Sequence, residues 1–580
     1  MSADSSSVLK VRFDTSTMSH GKVKMKTYFA LASDLRGNGK ALAAFAAVTV
    51  ISAVAFAFLP KILGEIIDVY ISGIIETVFS GEKLRVIGDI MPLIGPAAAL
   101  LAANVAASLI QGVVISSVTS GYAHSLRCRM FKKFNRLPAS YADNRSHADI
   151  ITAMTENVDA LNQSLGLFLA NVVNSAVVII AVTAMMMTVD VMLSLVSAAF
   201  LAVSLIASWI AGKKEKEYAA GQQFSGANVN SRLGEFYGGL RTVQESGEIK
   251  TNLIMLENLN DYHGDKVKKA RVLTAISSCI GDLTLGLCIT AVTVAGAFMI
   301  KEDALTVGTL MTAVLYVRRL HQPVSQISAY ANVVRTMGEA AQTVFAFLDE
   351  KEEKRSGATD AVAGDIEFKN VTFAYPGTNE AVLHNVSLKV PCKGITSVSG
   401  DTGAGKSTLI KLMLRFYTPD EGSVLCGGRN VEDFDLEHYR KKFTVINQEA
   451  TLFETTLAEN IAYGKENADM QSITAAAKLS GADEFISRLP DGYSTVFSTS
   501  PQNISNGEVQ LVLLARAFLN KTSYVVFDEA TAYVDTKTEI RVKETLSALA
   551  EDSAVIIIAH RRSTVENAER IIRIENGKVE

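Results

Sequence analysis

Six long apolar runs fill the first half of this chain and constrain its fold more than any other feature. A helix that crosses a membrane needs roughly 20 mostly apolar residues. One such run could be a buried helix of a soluble protein, but six in one half of a chain indicate a helical membrane domain. The runs lie near residues 41–62, 93–118, 165–188, 191–211, 272–300 and 305–334.

The composition supports a membrane domain and excludes several classes of protein. The chain has 580 residues, of which 48% are hydrophobic, and a formal net charge of −4. Its mean hydropathy of +0.22 is too high for an ordinary soluble enzyme, and the acidic balance argues against a nucleic-acid-binding protein. The five cysteines form no C-x-x-C pair, so they provide neither a metal site nor a disulfide framework and suit a reducing cytoplasm.

Basic residues predict how the apolar runs are oriented. They cluster at 22–26, 127–136 and 213–216, before the first run and after the second and fourth. Because such residues are enriched on the cytoplasmic side, we expect the N-terminus, both long loops and the second half to be cytoplasmic. Each long loop has about 50 residues, enough to carry structure of its own, and its pattern predicts that the spans continue as helices.

The second half contains a phosphate-binding loop between a strand and a helix. Residues 400–407 read Gly-Asp-Thr-Gly-Ala-Gly-Lys-Ser, with a β-branched run before them and helical spacing after them. The backbone N–H groups of such a loop surround phosphate oxygens, and the helix N-terminus adds positive potential. We expect Lys406 to reach the β- and γ-phosphates and Ser407 to hold Mg²⁺.

A second element of the same half carries two carboxylates. The apolar run at 524–528 ends in Asp528 and Glu529. A strand buried on both faces has such a continuous apolar run, and nucleotide sites form beyond the carboxyl ends of parallel strands. Asp528 is expected to hold Mg²⁺, directly or through water, and Glu529 to act as the general base that polarises the attacking water. The alternative is a solvated acidic strand end.

The ordered motifs of the second half resemble those of a bacterial ATP-binding-cassette half-transporter of the exporter type. Tyr375 matches the aromatic residue that stacks on adenine, Gln448 the glutamine that senses Mg²⁺, and His560 the switch histidine at the γ-phosphate. The ATP site implied by the resemblance comprises Tyr375, Gly400, Asp401, Thr402, Gly403, Ala404, Gly405, Lys406, Ser407, Thr408 and Gln448. Glu529, His560 and Lys406 are its implied catalytic residues, and Ser407, Gln448 and Asp528 its implied Mg²⁺ ligands.

The resemblance covers nearly the whole chain and implies its domain organisation. It implies a cytoplasmic segment at 1–38, six transmembrane helices with long cytoplasmic extensions at 39–340, a linker at 341–364 and an α/β nucleotide-binding domain at 365–580. Residues 137–141 resemble the first coupling helix of the family, and residues 230–235 lie where the second is expected.

The segment that corresponds to the family signature departs from the family pattern. Ser505 and Gly507 are retained, whereas Asn506 replaces a glycine and Glu508 replaces a glutamine. Asparagine tolerates positive φ, so we expect the loop to keep its shape, while Glu508 places an anion near the γ-phosphate of the partner's nucleotide. Thr499 stands where exporters carry a glutamate. An altered signature beside a competent P-loop implies a heterodimer in preference to a homodimer.

Charged residues in the sixth run are the candidates for contact with cargo. Arg318, Arg319 and His321 interrupt this run, and charges within a span usually face protein or a water-filled cavity. A cavity lined by them predicts anionic cargo, whereas pairing with Asp282 is the structural alternative.

Export of a peptide, lipid or drug-like molecule is the favoured function. A siderophore-type importer and an ATP-gated channel or regulator stay open, and the six runs exclude a soluble DNA-repair ATPase.

Overall fold

The computed structural model of the chain describes residues 25–80, 86–143, 145, 147–359, 364–378, 380–446, 452–498, 503–528, 536–558 and 568–579. These residues form two units. The first comprises Met1–Phe134 and Ala148–Glu350, and the second comprises Asn135–His147 and Lys351–Glu580. The second unit therefore includes a short segment from the middle of the membrane half.

Helices make up most of the described chain as far as residue 349. In chain order they are α1 Met25–Asp34, α2 Gly39–Ser80, α3 Val86–Phe134, α4 Ala139–Asp143, α5 His147–Met154, α6 Glu156–Leu167, α7 Asn174–Val189, α8 Val191–Gly238, α9 Leu240–Ser246, α10 Ile249–Lys301, α11 Val307–Ser325 and α12 Ile327–Asp349. A π-helical turn at Phe168–Val173 joins α6 to α7. All of these helices except α4 belong to the first unit.

The longest helices extend beyond any bilayer. α10 has 53 residues, which corresponds to about 80 Å at the rise of an α-helix, against a hydrocarbon core of about 30 Å. Among the described residues, four stretches are apolar and long enough to span, namely Met25–Ser72, Ile90–Phe134, Ile150–Val189 and Ile249–Lys301, and Val191–Ala207 is a shorter apolar helix. The predicted continuation of the spans as helices is thus confirmed.

The sixth apolar run is not a single helix. α11 ends at Ser325 and α12 begins at Ile327, with Gln326 between them at φ −95° and ψ 5°. The prediction of one span over 305–334 is therefore wrong at its C-terminal end. α12 continues to Asp349, so residues 341–349, which the sequence analysis assigned to the linker, are helical.

The tip of the second long loop also differs from the prediction. Residues 230–235 lie inside α8, which ends at Gly238. The chain then turns through the short helix α9, and Gly247 ends it with a left-handed φ of 72°. A glycine adopts this conformation without steric cost, so the turn follows α8 and does not interrupt it.

Small residues let α2 and α11 approach closely. A Cβ atom on Gly64 would lie 2.0 Å from the Thr312 hydroxyl, and one on Gly308 would lie 2.0 Å from the Gly64 carbonyl oxygen. The Asp68 carboxylate of α2 accepts hydrogen bonds of 2.7 Å from the Gly308 N–H and the Thr306 hydroxyl. It thereby satisfies donors at the first turn of α11 that have no partner within the helix.

The described part of the second unit contains two sheets and seven further α-helices. Its strands are β1 Ile366–Phe373, β2 Leu383–Val390, β3 Gly394–Ser399, β4 Glu421–Cys426, β5 Arg429–Asn430, β6 Phe443–Ile446, β7 Tyr524–Asp528, β8 Ala554–Ile558, β9 Arg570–Glu575 and β10 Lys578–Val579. Its further helices are α13 Lys406–Met413, α14 Leu436–Arg440, α15 Leu457–Ala462, α16 Met470–Ser480, α17 Ala482–Ile486, α18 Asn506–Asn520 and α19 Thr536–Ala550.

The larger sheet orders its strands β10-β9-β3-β8-β7-β6 and is parallel except for β10. The smaller sheet, β2-β1-β4-β5, is antiparallel. β7 and β8 are almost completely buried, as expected for the centre of a parallel sheet covered on both faces. A helical domain followed by an α/β domain confirms the predicted fold class.

Candidate functional site

The phosphate-binding loop lies between β3 and α13, as predicted. Its glycines are required by their surroundings as well as by the backbone. A Cβ atom on Gly400 would lie 2.1 Å from the Ile574 carbonyl oxygen, and one on Gly405 would lie 2.7 Å from a Leu383 methyl group. Gly405 also has a left-handed φ of 103°, a backbone conformation that residues other than glycine rarely adopt. The loop is therefore held tightly against β9 and β2.

Lys406 begins α13 and folds back over this loop. Its side chain is buried, and Nζ donates hydrogen bonds of 2.7 Å to the Gly400 carbonyl and 2.8 Å to the Asp401 carbonyl. Ser407, the next residue, is exposed. The sequence thus places a buried ammonium group above the loop and an accessible hydroxyl at the first turn of the helix.

Asp528 lies level with the end of β3 across the sheet. Ile558 of β8 pairs with Val398 on one side and with Asp528 on the other. Neighbouring strands are about 4.8 Å apart, so the two chains are separated by about 10 Å at this level. The P-loop and Asp528 therefore share one edge of the parallel sheet. Glu529, His560, Gln448 and Thr499 lie outside the described residues.

Tyr375 follows β1 and is held by other aromatic rings. Its hydroxyl lies 3.0 Å from the Thr408 hydroxyl of α13. Its ring makes edge contacts with Phe373 and Tyr417, with centroids 5.1 Å and 5.2 Å away. The ring is half-buried beside a cleft of about 570 Å³ that is also lined by Pro138. Stacking on adenine stays a prediction.

An ion pair that the sequence analysis missed ties α4 to α13. The Asp143 carboxylate accepts hydrogen bonds from Lys411 Nζ at 2.7 Å and from the Tyr417 hydroxyl at 2.9 Å. Burial raises the pKa of Asp143, but these two hydrogen bonds outweigh it and hold the pKa below its ordinary value. Lys411 and Asp143 are 268 residues apart in the chain, so no local pattern could have paired them.

The signature segment forms a closed capping box at the start of α18. The Glu508 carboxylate accepts hydrogen bonds from the Ser505 N–H at 2.9 Å and the Ser505 hydroxyl at 2.7 Å. The Glu508 N–H donates to the Ser505 oxygen at 3.4 Å. Asn506 is the first residue of α18, and its φ is not positive. The expectation based on positive φ is therefore wrong, because Asn506 continues a helix.

The three candidate cargo residues of α11 do not converge. Arg318 is exposed, while the Arg319 guanidinium lies 3.3 Å from the centroid of the Phe56 ring on α2. His321 Nε2 lies 3.8 Å from the Asp282 carboxylate of α10, too far for a hydrogen bond. Within the described residues, neither arginine forms an ion pair with Asp282. Each of the three side chains thus lies in a different environment.

Comparisons with known proteins agree across both units. The family model of the ABC transporter transmembrane region matches residues 42–324, and the family model described as ABC transporter matches residues 383–532. A fatty acid ABC transporter ATP-binding/permease protein of Mycobacterium bovis is 31% identical over 78% of this chain and 72% of its own length.

A lipid A-core flippase of Chromohalobacter salexigens is 28% identical over 80% of this chain and 81% of its own. Among solved structures, a bacterial Atm1-family ABC exporter with ATP bound superposes with a TM-score of 0.78 at 21% identity. This superposition covers 93% of this chain and 95% of the other, and it supports the same fold for both.

Proposed function

Because the chain belongs to the ATP-binding-cassette transporter family, we propose that it is one half of an exporter that moves a lipid-like amphiphile across the bacterial cytoplasmic membrane. ATP hydrolysis drives this transport. The observation that carries the proposal is the placement of Lys406 and Asp528 at one edge of the parallel sheet. They lie on a chain whose other unit consists of helices long enough to cross a bilayer.

The residues of this chain divide the work at the nucleotide. Backbone N–H groups of the P-loop and the Lys406 ammonium bind the phosphates, and Tyr375 stacks on the base. Glu529 takes the proton of the attacking water, and His560 orients the γ-phosphate. Ser407, Gln448 and Asp528 supply the oxygen donors that suit Mg²⁺, and the ion would neutralise charge on the phosphates when bound.

A half-transporter acts as a dimer, and we propose that the partner is a different chain. The capping box engages both the Ser505 hydroxyl and the Ser505 N–H with the Glu508 carboxylate. These donors are then occupied within the chain, and the carboxylate repels the γ-phosphate bound to the partner's P-loop. The partner's signature would complete the binding site of the nucleotide that is held by the P-loop of this chain. This asymmetry favours a heterodimer.

The relatives support a lipid as cargo. One is named a fatty acid transporter and another a lipid A-core flippase, and both names describe molecules with an apolar part and a polar head. Selection of anionic cargo by the two arginines has less support, because Arg318 and Arg319 lie in different environments. An importer or an ATP-gated channel would need the same nucleotide site but a different response to cargo.

Reconstitution tests the proposal directly. The chain, with and without the product of any neighbouring half-transporter gene, is placed in proteoliposomes with single-chain and multi-chain lipids. We expect lipid-stimulated ATPase activity and ATP-dependent movement of labelled lipid between leaflets. The Lys406→Ala variant serves as the inactive control. ATP binding without any lipid-stimulated turnover would favour a channel or regulator instead.

A further inference from the structure

The chain that follows α12 is attached to the second unit soon after the helix ends. Residues 351–358, the anchored segment, belong to that unit and run beside the chain that precedes α14. The Ala358 N–H donates a hydrogen bond of 2.9 Å to the Asp433 carbonyl, and the Ala358 carbonyl accepts one of 2.9 Å from the Asp435 N–H. The end of the anchored segment therefore has a fixed position on the ATP-binding unit.

Two arginines hold the start of the anchored segment. The Arg440 guanidinium donates hydrogen bonds of 3.1 Å and 2.7 Å to the two carboxylate oxygens of Glu353. Arg415 donates one of 2.9 Å to the Lys354 carbonyl. The Arg440 and Glu353 side chains are only 27% and 12% exposed, and a contact to both oxygens fixes geometry as well as charge. This attachment is therefore better defined than an ordinary exposed ion pair.

The guanidinium of Arg440 also contacts the end of α13. It donates a hydrogen bond of 3.1 Å to the Leu414 carbonyl and one of 2.6 Å to the Arg415 carbonyl. Carbonyls at the C-terminal end of a helix lack a partner within the helix. α13 begins at Lys406 and has 8 residues, so its two ends are about 12 Å apart. Arg440 thus links Glu353 to the helix that carries the phosphate-binding lysine.

These contacts shorten the connection between α12 and the ATP-binding unit. From Glu350, which follows α12, the chain can extend about 10 Å to Glu353, whereas it could extend about 55 Å to Ile366 at the start of β1. The Glu353 N–H also donates a hydrogen bond of 3.0 Å to the Arg136 carbonyl. A long flexible linker absorbs a displacement of one end, but a short chain that is held at Glu353 transmits it.

We propose that Arg440 is a positioning residue that couples α13 to α12 through Glu353. When bound ATP displaces α13, Arg440 moves Glu353 with it, and the short connection transmits this displacement to Glu350 at the end of α12. The inference rests on the proposed function, because it takes the displacement to serve transport. One of its two measurements requires no cargo, so the coupling and the proposed function can fail separately.

The experiment places a Gly-Ser-Gly-Ser insertion on either side of the anchored segment. It uses the full chain with any partner in lipid, with the upstream insertion between residues 350 and 351 and the downstream insertion between residues 361 and 362. The first measurement is the change in hydrogen–deuterium exchange of α12 on addition of ATP, made in the Glu529→Gln background. The second is the number of lipids moved per ATP hydrolysed, made without that substitution.

The two insertions should differ although they add the same four residues. The upstream insertion lengthens the short connection, so we expect it to abolish the response of α12 to ATP. It should also lower the number of lipids moved per ATP at least about fivefold, the lower end of a typical coupling between two sites. The downstream insertion should leave both measurements near the wild-type values, because the contacts of Arg440 and Arg415 bypass it.

Variants of Arg440 test whether this residue makes the bypass. Arg440→Gln combined with the downstream insertion should behave like the upstream insertion. Arg488→Gln with the same insertion is the matched control, since Arg488 pairs with an exposed Glu484 of the same unit. Arg440→Lys keeps the charge but cannot contact both Glu353 oxygens in the same way, so it should give an intermediate loss. If Arg440→Gln fails to fold, Glu353→Gln removes the charge of the pair with a smaller change.

Three results would overturn the inference. They are equal effects of the two insertions, no change in the exchange of α12 when ATP binds to the chain without an insertion, and Arg440→Gln behaving like Arg488→Gln. If lipid moves equally well in both insertion variants, the coupling is wrong and the proposed function stands. If α12 responds as expected but no lipid moves in any variant, the coupling stands and the proposed function is wrong.

Discussion

Tyr417 donates a hydrogen bond of 2.9 Å to Asp143, a residue far earlier in the chain. Asp143 also accepts from Lys411, which lies on the same helix as the P-loop lysine. Burial, followed by the hydrogen bond to Asp143, raises the pKa of Tyr417 above its ordinary value, so the phenol stays a donor. The short helix α4 is thus fixed to the helix that begins at the phosphate-binding loop.

Lys411→Met should uncouple cargo from hydrolysis. The variant keeps the apolar stem but loses the ion pair with Asp143. We expect basal ATPase activity to persist and its stimulation by lipid to fall about two- to fivefold, because a partly exposed pair contributes up to about 1 kcal/mol. Lys441→Met is the control, since Lys441 pairs with Glu437 elsewhere in the same unit. Equal losses in both variants would contradict this role.

The ion pair of Asp143 with Lys411 predicts that the stabilising effect of Asp143 does not change with pH near neutrality. The pKa of Asp143 is lowered from 3.8 in the folded protein, so its stabilising effect is fully present above that ordinary value. The effect is lost only as pH falls through the still lower folded pKa. Between pH 5.5 and 8, the difference in thermal stability between wild type and Asp143→Asn should therefore stay constant. A difference that shrinks within this range would show that Asp143 titrates there.

Glu529→Gln should stop turnover and preserve nucleotide binding. Loss of a positioned general base typically slows the chemical step by about 10²–10⁴-fold. ATP binding, measured with a fluorescent analogue, should remain near the wild-type level. Lys406→Ala provides the contrast, because removal of the buried ammonium should weaken binding itself. Near-normal hydrolysis by Glu529→Gln would exclude Glu529 from the role of base.

Glu508→Gln should raise hydrolysis while leaving stability nearly unchanged. Glutamine can maintain the capping box with Ser505, but it removes the negative charge from the signature. When Glu508→Gln is combined with Asn506→Gly, we expect a further gain in ATP hydrolysis if the nucleotide site on the partner's P-loop becomes active. Ser505→Ala is the contrasting variant, since loss of the cap costs about 0.5–2 kcal/mol of stability. A stable, fully active homodimer of the unmodified chain would refute the heterodimer.

Gly308→Ala should destabilise the first unit. The added methyl group would lie 2.0 Å from the Gly64 carbonyl oxygen and 2.5 Å from the Asp68 carboxyl carbon. Overpacking of this kind costs about 1–3 kcal/mol, which should lower the thermal midpoint measured in nanodiscs. Gly112→Ala is the matched control, because a methyl group there meets nothing within 4 Å. Equal midpoints for the two variants would contradict the close approach of α2 and α11.

The elements that the sequence predicted well depend on local patterns. The P-loop is recognisable because its strand, glycines, Lys406 and helix are contiguous, and the apolar runs are long enough to indicate spans individually. The end of α11 was misplaced because the apolar pattern continues beyond Gln326, where the backbone breaks. The positive φ considered for Asn506 does not occur, because Ser505 caps α18 and Asn506 is the first residue of that helix.

Other features depend on contacts that no local pattern encodes. Asp143 finds Lys411 only through the fold, and the close approach of Gly308 to Gly64 arises from the packing of two helices that are far apart in the chain. Arg318 and Arg319 are adjacent in sequence, but Arg318 is exposed on the surface of this chain whereas Arg319 lies over the Phe56 ring. Their proximity along the chain therefore gave no information about a shared cavity.

The assignment of Asn135–His147 to the second unit has a practical consequence for anyone who wishes to express the ATPase portion separately. A fragment that starts at residue 351 would leave Lys411 and Tyr417 without their acceptor and the Glu353 N–H without the Arg136 carbonyl that accepts from it. Such a fragment lacks part of the second unit, so its melting temperature and turnover would be lower than those of the intact protein. A fusion that links residues 135–147 to residues 351–580 through a tether would be the smallest fragment that retains the whole second unit.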